Sequence, residues 1–269
     1  HMRTALRLTG SLNKAALLQT LNEILRRHEV LRTTFATVEG KPVQVIIPNL
    51  SLGLPTINLE ELTEFEREAE IKKLVIQEIQ QPFDLSQAPL LRATLLRLKD
   101  TEHILVFTMH HIISDGWSMG VLVKEVTVLY EAFSKSQPSP LAELQIQYVD
   151  FAAWQRQKLQ GEVLKSQISY WKQQLENAPQ LLELPTDKPR PVVSSFHGAT
   201  YSFELSHELH MALKKLSQQQ GNTLFISLLA AFKTLLYLYT GSKDIVIGSP
   251  IANRDRIELE GLIGLFANT

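Results

Sequence analysis

The chain contains no cysteine, which excludes disulfides, thiolate metal sites and a cysteine nucleophile together. It has no excess of either charge: 27 Lys and Arg face 28 Asp and Glu, a formal net charge of -1. No bulk attraction to nucleic acid or to a membrane surface is therefore expected. No apolar run approaches the roughly 18 residues that span a bilayer, and the N-terminus lacks the charged-then-apolar layout of a signal peptide. The expected location is cytoplasmic. What the chain does have is ordinary for a globular protein, with 44% hydrophobic residues in 269 positions, enough for one large domain or two modest lobes.

Thr4 to Gly10 alternates and then breaks, as a short strand and turn would. Leu12, Ala15, Ala16, Leu18, Leu21, Ile24 and Leu25 then recur at helical spacing, with Ser11 or Asn13 as N-cap and an end near His28. Leu31 to Ile47 reads as a hairpin around Glu39-Gly40, and residues 60–80 as a charged helix stopped before Pro82. Leu90 to Leu98 reads as a strand, and "HILVFTM" as a second one, apolar on both faces and so central in a sheet. A helix follows from about Ser118, and residues 147–178 make a helix pair broken near Gly161. Four prolines between Ala178 and Thr200 suggest a linker. Beyond it "YSFEL" and "KDIVIGSP" read as strands and the segments between them as helices. The expected organisation is an N-terminal lobe over residues 1–177, a linker over 178–200 and a partial C-terminal lobe over 201–269, within an α/β fold belonging to a larger enzyme.

The stretch "TMHHIISDGWS" carries the chemistry. If His110 and His111 continue a strand, their side chains leave opposite faces, so one is a tool and the other a brace. Two ligands on one strand would sit at i and i+2, which weighs against metal chelation by this pair. A histidine at the exit of a buried strand, followed by a tight Asp115-Gly116 turn into a helix, occupies a position where α/β layers place catalytic groups. The Gly116 N–H can donate to a thioester or an oxyanion. Asp115 reads as a buried anchor that needs a cation. Arg32, expected in the strand that opens the hairpin, is the favoured partner over Arg26 and Arg27, which would complement the end of their helix. Ser118 reads as the N-cap of the following helix.

These residues resemble the HHxxxDG signature of condensation domains of nonribosomal peptide synthetases. "RHEVLRTTF" (Arg27 to Phe35), "YVDFAAWQR" (Tyr148 to Arg156), "LPTDKPRP" and "IGSPIANRDRIELEGLIGLFANT" (Ile247 to Thr269) resemble companion motifs and the linker of that family, in the family's order. The resemblance implies a chloramphenicol-acetyltransferase-like two-lobed fold with its second lobe truncated. A tunnel between the lobes would meet carrier proteins at both mouths. It implies amide formation between a carrier-bound thioester donor and a carrier-bound amine acceptor, in the service of antibiotic and other secondary-metabolite synthesis. His111 would be the functional histidine and His110 its neighbour, with Asp115 paired to Arg32 and Gly116 alongside. Trp117, Ser118, Asn253 and Arg254 would lie on the tunnel side.

No cofactor is expected in the domain itself, since phosphopantetheine arrives on the carrier proteins, and no metal. The expected partners are donor and acceptor peptidyl carriers and adjacent synthetase modules, with the domain monomeric. Lys124 and Lys172 are candidates to face an acidic carrier, whereas Tyr148, Asp150 and Trp154 read as packing residues. The sequence leans toward joining two L-aminoacyl groups. The alternatives are an ester-forming or epimerisation-type relative and an inactive fragment that only docks carriers.

Overall fold

The computed structural model describes residues 1–195 and 198–269. They form two compact units: His1–Val163 together with Ser249–Thr269, and Leu164–Gly248. The boundaries differ from those expected, because residues 249–269 belong with the first unit and not with the segment that precedes them.

In the first unit, β1 (Met2–Thr9) leads to α1 (Lys14–Arg27), whose N-cap is Asn13, its side chain accepting from the Ala16 N–H. A turn of 3-10 helix (Glu29–Arg32) precedes β2 (Thr33–Val38) and β3 (Lys41–Ile46), an isolated hairpin. Glu39 and Gly40 both have positive φ, 51° and 75°, the left-handed pair that lets two-residue turns follow the strand twist. The short β4 (Thr56–Asn58) is followed by α2 (Glu64–Gln80). There Thr63 and Glu66 close a reciprocal capping box. β5 (Leu91–Lys99) and β6 (Glu102–Met109) make an antiparallel hairpin.

The sheet order is β1-β6-β5-β4, with β4 parallel to β5 and the other pairs antiparallel. β6 is thus central, as its two apolar faces imply. Leu105, Phe107 and Met109 face a core built with Leu17, Ile24 and Leu25 of α1 and with Leu122, Val126 and Leu129 further on. Val106 and the β5 residues Leu96 and Leu98 face the opposite way, against Ile71, Leu74 and Val75 of α2. Both faces are covered, so every second residue of the strand has an apolar partner on its own side.

Behind β6 come a short 3-10 turn (His111–Ile113) and α3 (Gly116–Ser134). Then follow α4 (Tyr148–Lys158) and α5 (Gly161–Gln174), which starts at a glycine with φ 54°. The second unit holds most of α5 together with α6 (His207–Gln219) and α7 (Leu224–Thr240). The α6–α7 corner is tied by Ser217 Oγ and Ser227 Oγ at 2.7 Å. No single helix among the described residues is long and apolar enough to cross a membrane; α6 and α7 satisfy that test only jointly, across a 105° bend. The expected strands "YSFEL" and "KDIVIGSP" are absent. A strand exists only with a ladder partner, and these apolar stretches find none among the described residues. The one bridge near them joins Ile251 to Asn268 in the first unit.

Residues 249–269 fold back onto the first unit through α8 (Ile257–Glu260) and a tail in which Leu259, Leu262 and Phe266 are buried against Phe151 of α4. Tyr148 seals the tail by donating from its hydroxyl to the Leu265 carbonyl at 2.9 Å. Gly264 lies so close to that ring that a Cβ there would sit 2.3 Å from Tyr148 Cδ2.

Candidate active site

The ladder of β6 ends at Met109, so the two histidines lie just beyond the strand. A turn and not a pleat therefore follows His110, and the two differ in burial. His110 is half-buried, and its N–H donates to the Leu90 carbonyl at 3.0 Å. Its Nδ1 accepts from the Ile112 N–H at 3.0 Å, capping the short turn. Burial first, and then the neighbouring His111, push the His110 pKa below its ordinary value. His111 opens the turn and is exposed, while Ile113 behind it is fully buried and anchors the turn in the core.

Asp115, not Ser118, is the N-cap of α3. Both are good capping types, and the helix starts at Gly116, which puts Ser118 at its third position. Asp115 Oδ1 accepts from the Ser118 N–H at 2.8 Å and from its hydroxyl at 2.7 Å. Gly116, exposed at the first helical position, contributes one of the N–H groups that a helix leaves without internal partners.

The expected pairing of Asp115 with Arg32 does not occur. Arg32 ends the 3-10 turn and does not point inward from a strand. Its guanidinium donates to the carbonyls of Leu25 at 3.0 Å and Ile47 at 2.6 Å, and to those of Arg26 and Pro48. Four acceptors already surround it, so it clamps the end of α1 to the exit of the hairpin. The cation at Asp115 is Arg254, with Nη2 at 3.2 Å from Oδ1 and both side chains almost completely buried. Nη1 of Arg254 donates to the Leu259 and Leu262 carbonyls, and the Phe266 ring centroid lies 4.0 Å from its guanidinium carbon. The Phe266 N–H donates to Asp115 Oδ2 at 3.0 Å. Burial alone would raise the Asp115 pKa, but the Ser118 and Phe266 donors and the Arg254 charge outweigh it and hold the carboxyl below its usual range.

This network corrects the tunnel-side expectation for Ser118 and Arg254, whose side chains are buried. Ser118 is fully buried, and its hydroxyl also accepts from the Gly264 N–H at 3.0 Å. Arg254 is locked as above. Asn253, at φ 54°, gives its amide to the Phe266 carbonyl at 3.1 Å. All three hold the tail in place. Trp117 is half-exposed, with its indole N–H donating to the Glu260 carbonyl at 2.9 Å.

A second buried carboxylate escaped the sequence reading. Glu125 of α3 accepts from Arg27 Nη2 at 3.2 Å and contacts His28 Nε2 at 3.0 Å. Arg27 is therefore a buried partner and not a helix-end cation on the surface. The Ile263 N–H donates to His28 Nδ1 at 3.4 Å, so the proton of a neutral His28 lies on Nε2, facing Glu125. The signal was present: Glu125 falls on the Leu122, Val126, Leu129 stripe, where a charge is out of place unless paired. Among the described residues no group of three or more His, Asp or Glu side chains forms a metal cage.

A family model described as Condensation domain matches residues 1–269. The chain is similar to part of a linear gramicidin synthase of Brevibacillus parabrevis, 52% identical over 269 residues that make up 100% of this chain and 5% of that protein. Among solved structures it resembles the X-domain from teicoplanin biosynthesis, with TM-score 0.87 and 31% identity over 99% of this chain and 59% of that one. It also resembles the first condensation domain of the calcium-dependent antibiotic synthetase, with TM-score 0.83 and 22% identity over 100% of this chain and 63% of that one. The chain thus spans a small part of its curated relative and about three fifths of these structures.

Proposed function

The chain belongs to the condensation-domain family of nonribosomal peptide synthetases, and from that premise we propose that it joins two carrier-bound L-aminoacyl groups, the donor being an aminoacyl or peptidyl thioester. The acceptor amine attacks the thioester carbonyl; the C–N bond forms, the C–S bond breaks, and the amine proton passes to the departing phosphopantetheine thiolate. His111 is the residue for this step. An imidazole exposed at the rim of a core-anchored turn can accept a hydrogen bond from the amine and relay its proton near neutral pH. Because an α-amine is already partly neutral at that pH, holding it in line with the carbonyl is the larger contribution.

Gly116 supports the reading as an N–H donor for the developing oxyanion, and Trp117 as a wall for the substrate arm. Asp115 acts through structure: its two oxygens accept hydrogen bonds from Ser118, Phe266 and Arg254, and so it fixes where α3 begins. Donor and acceptor carriers, each bringing its own phosphopantetheine, and the adjoining modules are the partners, in the cytoplasm. The observation that carries the proposal is the pairing of an exposed His111 with an Asp115 entirely committed to the fold.

The test is amide formation followed by intact mass, with one carrier loaded with an L-aminoacyl thioester and a second bearing an L-aminoacyl acceptor. Product from the wild type that falls by at least about a hundredfold in His111→Ala supports the reading. Equal product from both would remove His111 from the chemistry. Ester formation with a hydroxyl acceptor, or α-carbon inversion without amide, would move the chain to the neighbouring activities.

A further inference from the structure

The segment between α2 and β5 plays no part in the Asp115 network, yet it reaches the histidine turn. Arg92 of β5 folds back over it. Its Nε donates to Glu78 Oε1 at 2.6 Å, and its Nη2 donates to the Glu78 and Gln81 carbonyls, each at 2.9 Å. These carbonyls belong to the last turn and the C-cap of α2, where a helix leaves acceptors without internal partners. So fixed, the guanidinium carbon lies 3.8 Å from the centroid of the Phe83 ring, a cation over the negative face of the aromatic system. The half-buried Phe83 in turn meets His110 edge-on, with centroids 6.1 Å apart and planes at 87°, within the range of favourable aromatic pairs. The His1 ring lies 5.8 Å from His110 and 5.0 Å from Phe83.

His110 has little other freedom. Its backbone N–H is tied to Leu90 and its carbonyl accepts from Ile113 N–H and Ser114 Oγ. The ring torsion remains, and that torsion decides whether Nδ1 meets the Ile112 N–H. We propose that Phe83, capped by Arg92, is a positioning residue: it holds the His110 ring as acceptor of the Ile112 N–H and so fixes the turn that presents His111. The consequence for amide formation rests on the function proposed above; the ring orientation does not. Since Nδ1 accepts, His110 is neutral with its proton on Nε2, in keeping with the downward direction of its pKa from burial. A side chain too short to reach His110 would leave the ring free to turn and the Ile112 N–H without its acceptor, and His111 would sample several orientations. Such a loss falls on the reacting geometry and not on substrate capture, so it appears in kcat.

The test uses the full chain with both loaded carriers, comparing wild type, Phe83→Leu, Phe83→Tyr and Arg92→Met. Phe83→Leu is expected to lower kcat about tenfold, with KM for the acceptor carrier within about twofold. Arg92→Met moves the same way, and Phe83→Tyr, which keeps the ring, restores kcat. Nitrogen-15 imidazole spectra at neutral pH give a second readout that needs no turnover: His110 shows a fixed Nε2–H tautomer in wild type and Phe83→Tyr, and an averaged pattern in Phe83→Leu. If wild type forms no amide, the function proposal falls while the spectra still decide the positioning role. An unchanged His110 pattern in Phe83→Leu, or a Phe83→Tyr as impaired as Phe83→Leu, overturns it.

Discussion

Helix α3 carries two buried carboxylates, Asp115 at its start and Glu125 about 15 Å along, and they are neutralised in different ways. Asp115 is paired across 139 positions of sequence by Arg254, from the tail. Glu125 is paired by Arg27 and His28, at the end of the neighbouring α1. The tail reaches both, through Phe266 N–H at Asp115 and through Ile263 N–H at His28. The first site ties a distant segment to the helix that follows the HHxxxDG turn, and the second ties two adjacent helices. The lesson is that a buried carboxylate in a motif identifies the need for a cation but not its source. Arg32 is nearer in sequence and of the right type, yet four carbonyls already claim it.

Breaking the Asp115 pair should give the largest effect. Arg254→Met or Asp115→Ala leaves an unpaired buried charge and is expected to cost about 3 to 5 kcal/mol of unfolding free energy, measured by urea titration. Gly264→Ala comes next. Its Cβ would fall 2.3 Å from Tyr148 Cδ2 and 2.8 Å from Phe266 Cε2, so the tail must shift, at about 1 to 3 kcal/mol. Tyr148→Leu in the same chain should recover part of that loss. Glu125→Gln retains one acceptor for Arg27 or His28 and should cost about 1 to 3 kcal/mol, less than Arg254→Met, because the two helices it joins are also held by an apolar core.

Acid sharpens the comparison further. The Asp115 and Glu125 carboxyls are both held below their ordinary values in the folded chain, against the upward pull of burial. Each therefore stabilises the fold above the unfolded pKa, and that contribution is lost as pH falls through the lower folded value. Stability measured from about pH 5 downward should decline in wild type, and its slope should be shallower in Asp115→Asn, which has one fewer site to protonate. A slope that does not change would mean that Asp115 is not the titrating anchor.

Local features were legible in the sequence because local chemistry decides them. The Asn13 cap, the Glu39-Gly40 turn and the centrality of β6 each follow from residues within a few positions of one another. Two apolar stretches, "YSFEL" and "KDIVIGSP", have strand composition but no ladder partner among the described residues, and composition cannot supply one. At the site, the need of the buried Asp115 for an arginine was legible. That the partner is Arg254 was not, because it depends on residues 249–269 returning to the first unit. The sequence points to Ser118 as N-cap instead of Asp115 because "DGWS" offers two good caps three residues apart, and only the backbone tells which one stands outside the helix.

The central claim, that the cation committed to Asp115 is Arg254 and not Arg32, is tested most directly by two double-mutant cycles run side by side. Unfolding free energies of Asp115→Asn, Arg254→Met, Arg32→Met and the two double variants give the coupling of each arginine to the carboxylate. The account predicts a coupling above about 1 kcal/mol for Asp115 with Arg254, and additivity within about 0.5 kcal/mol for Asp115 with Arg32. Strong coupling to Arg32 with additivity at Arg254 would contradict it.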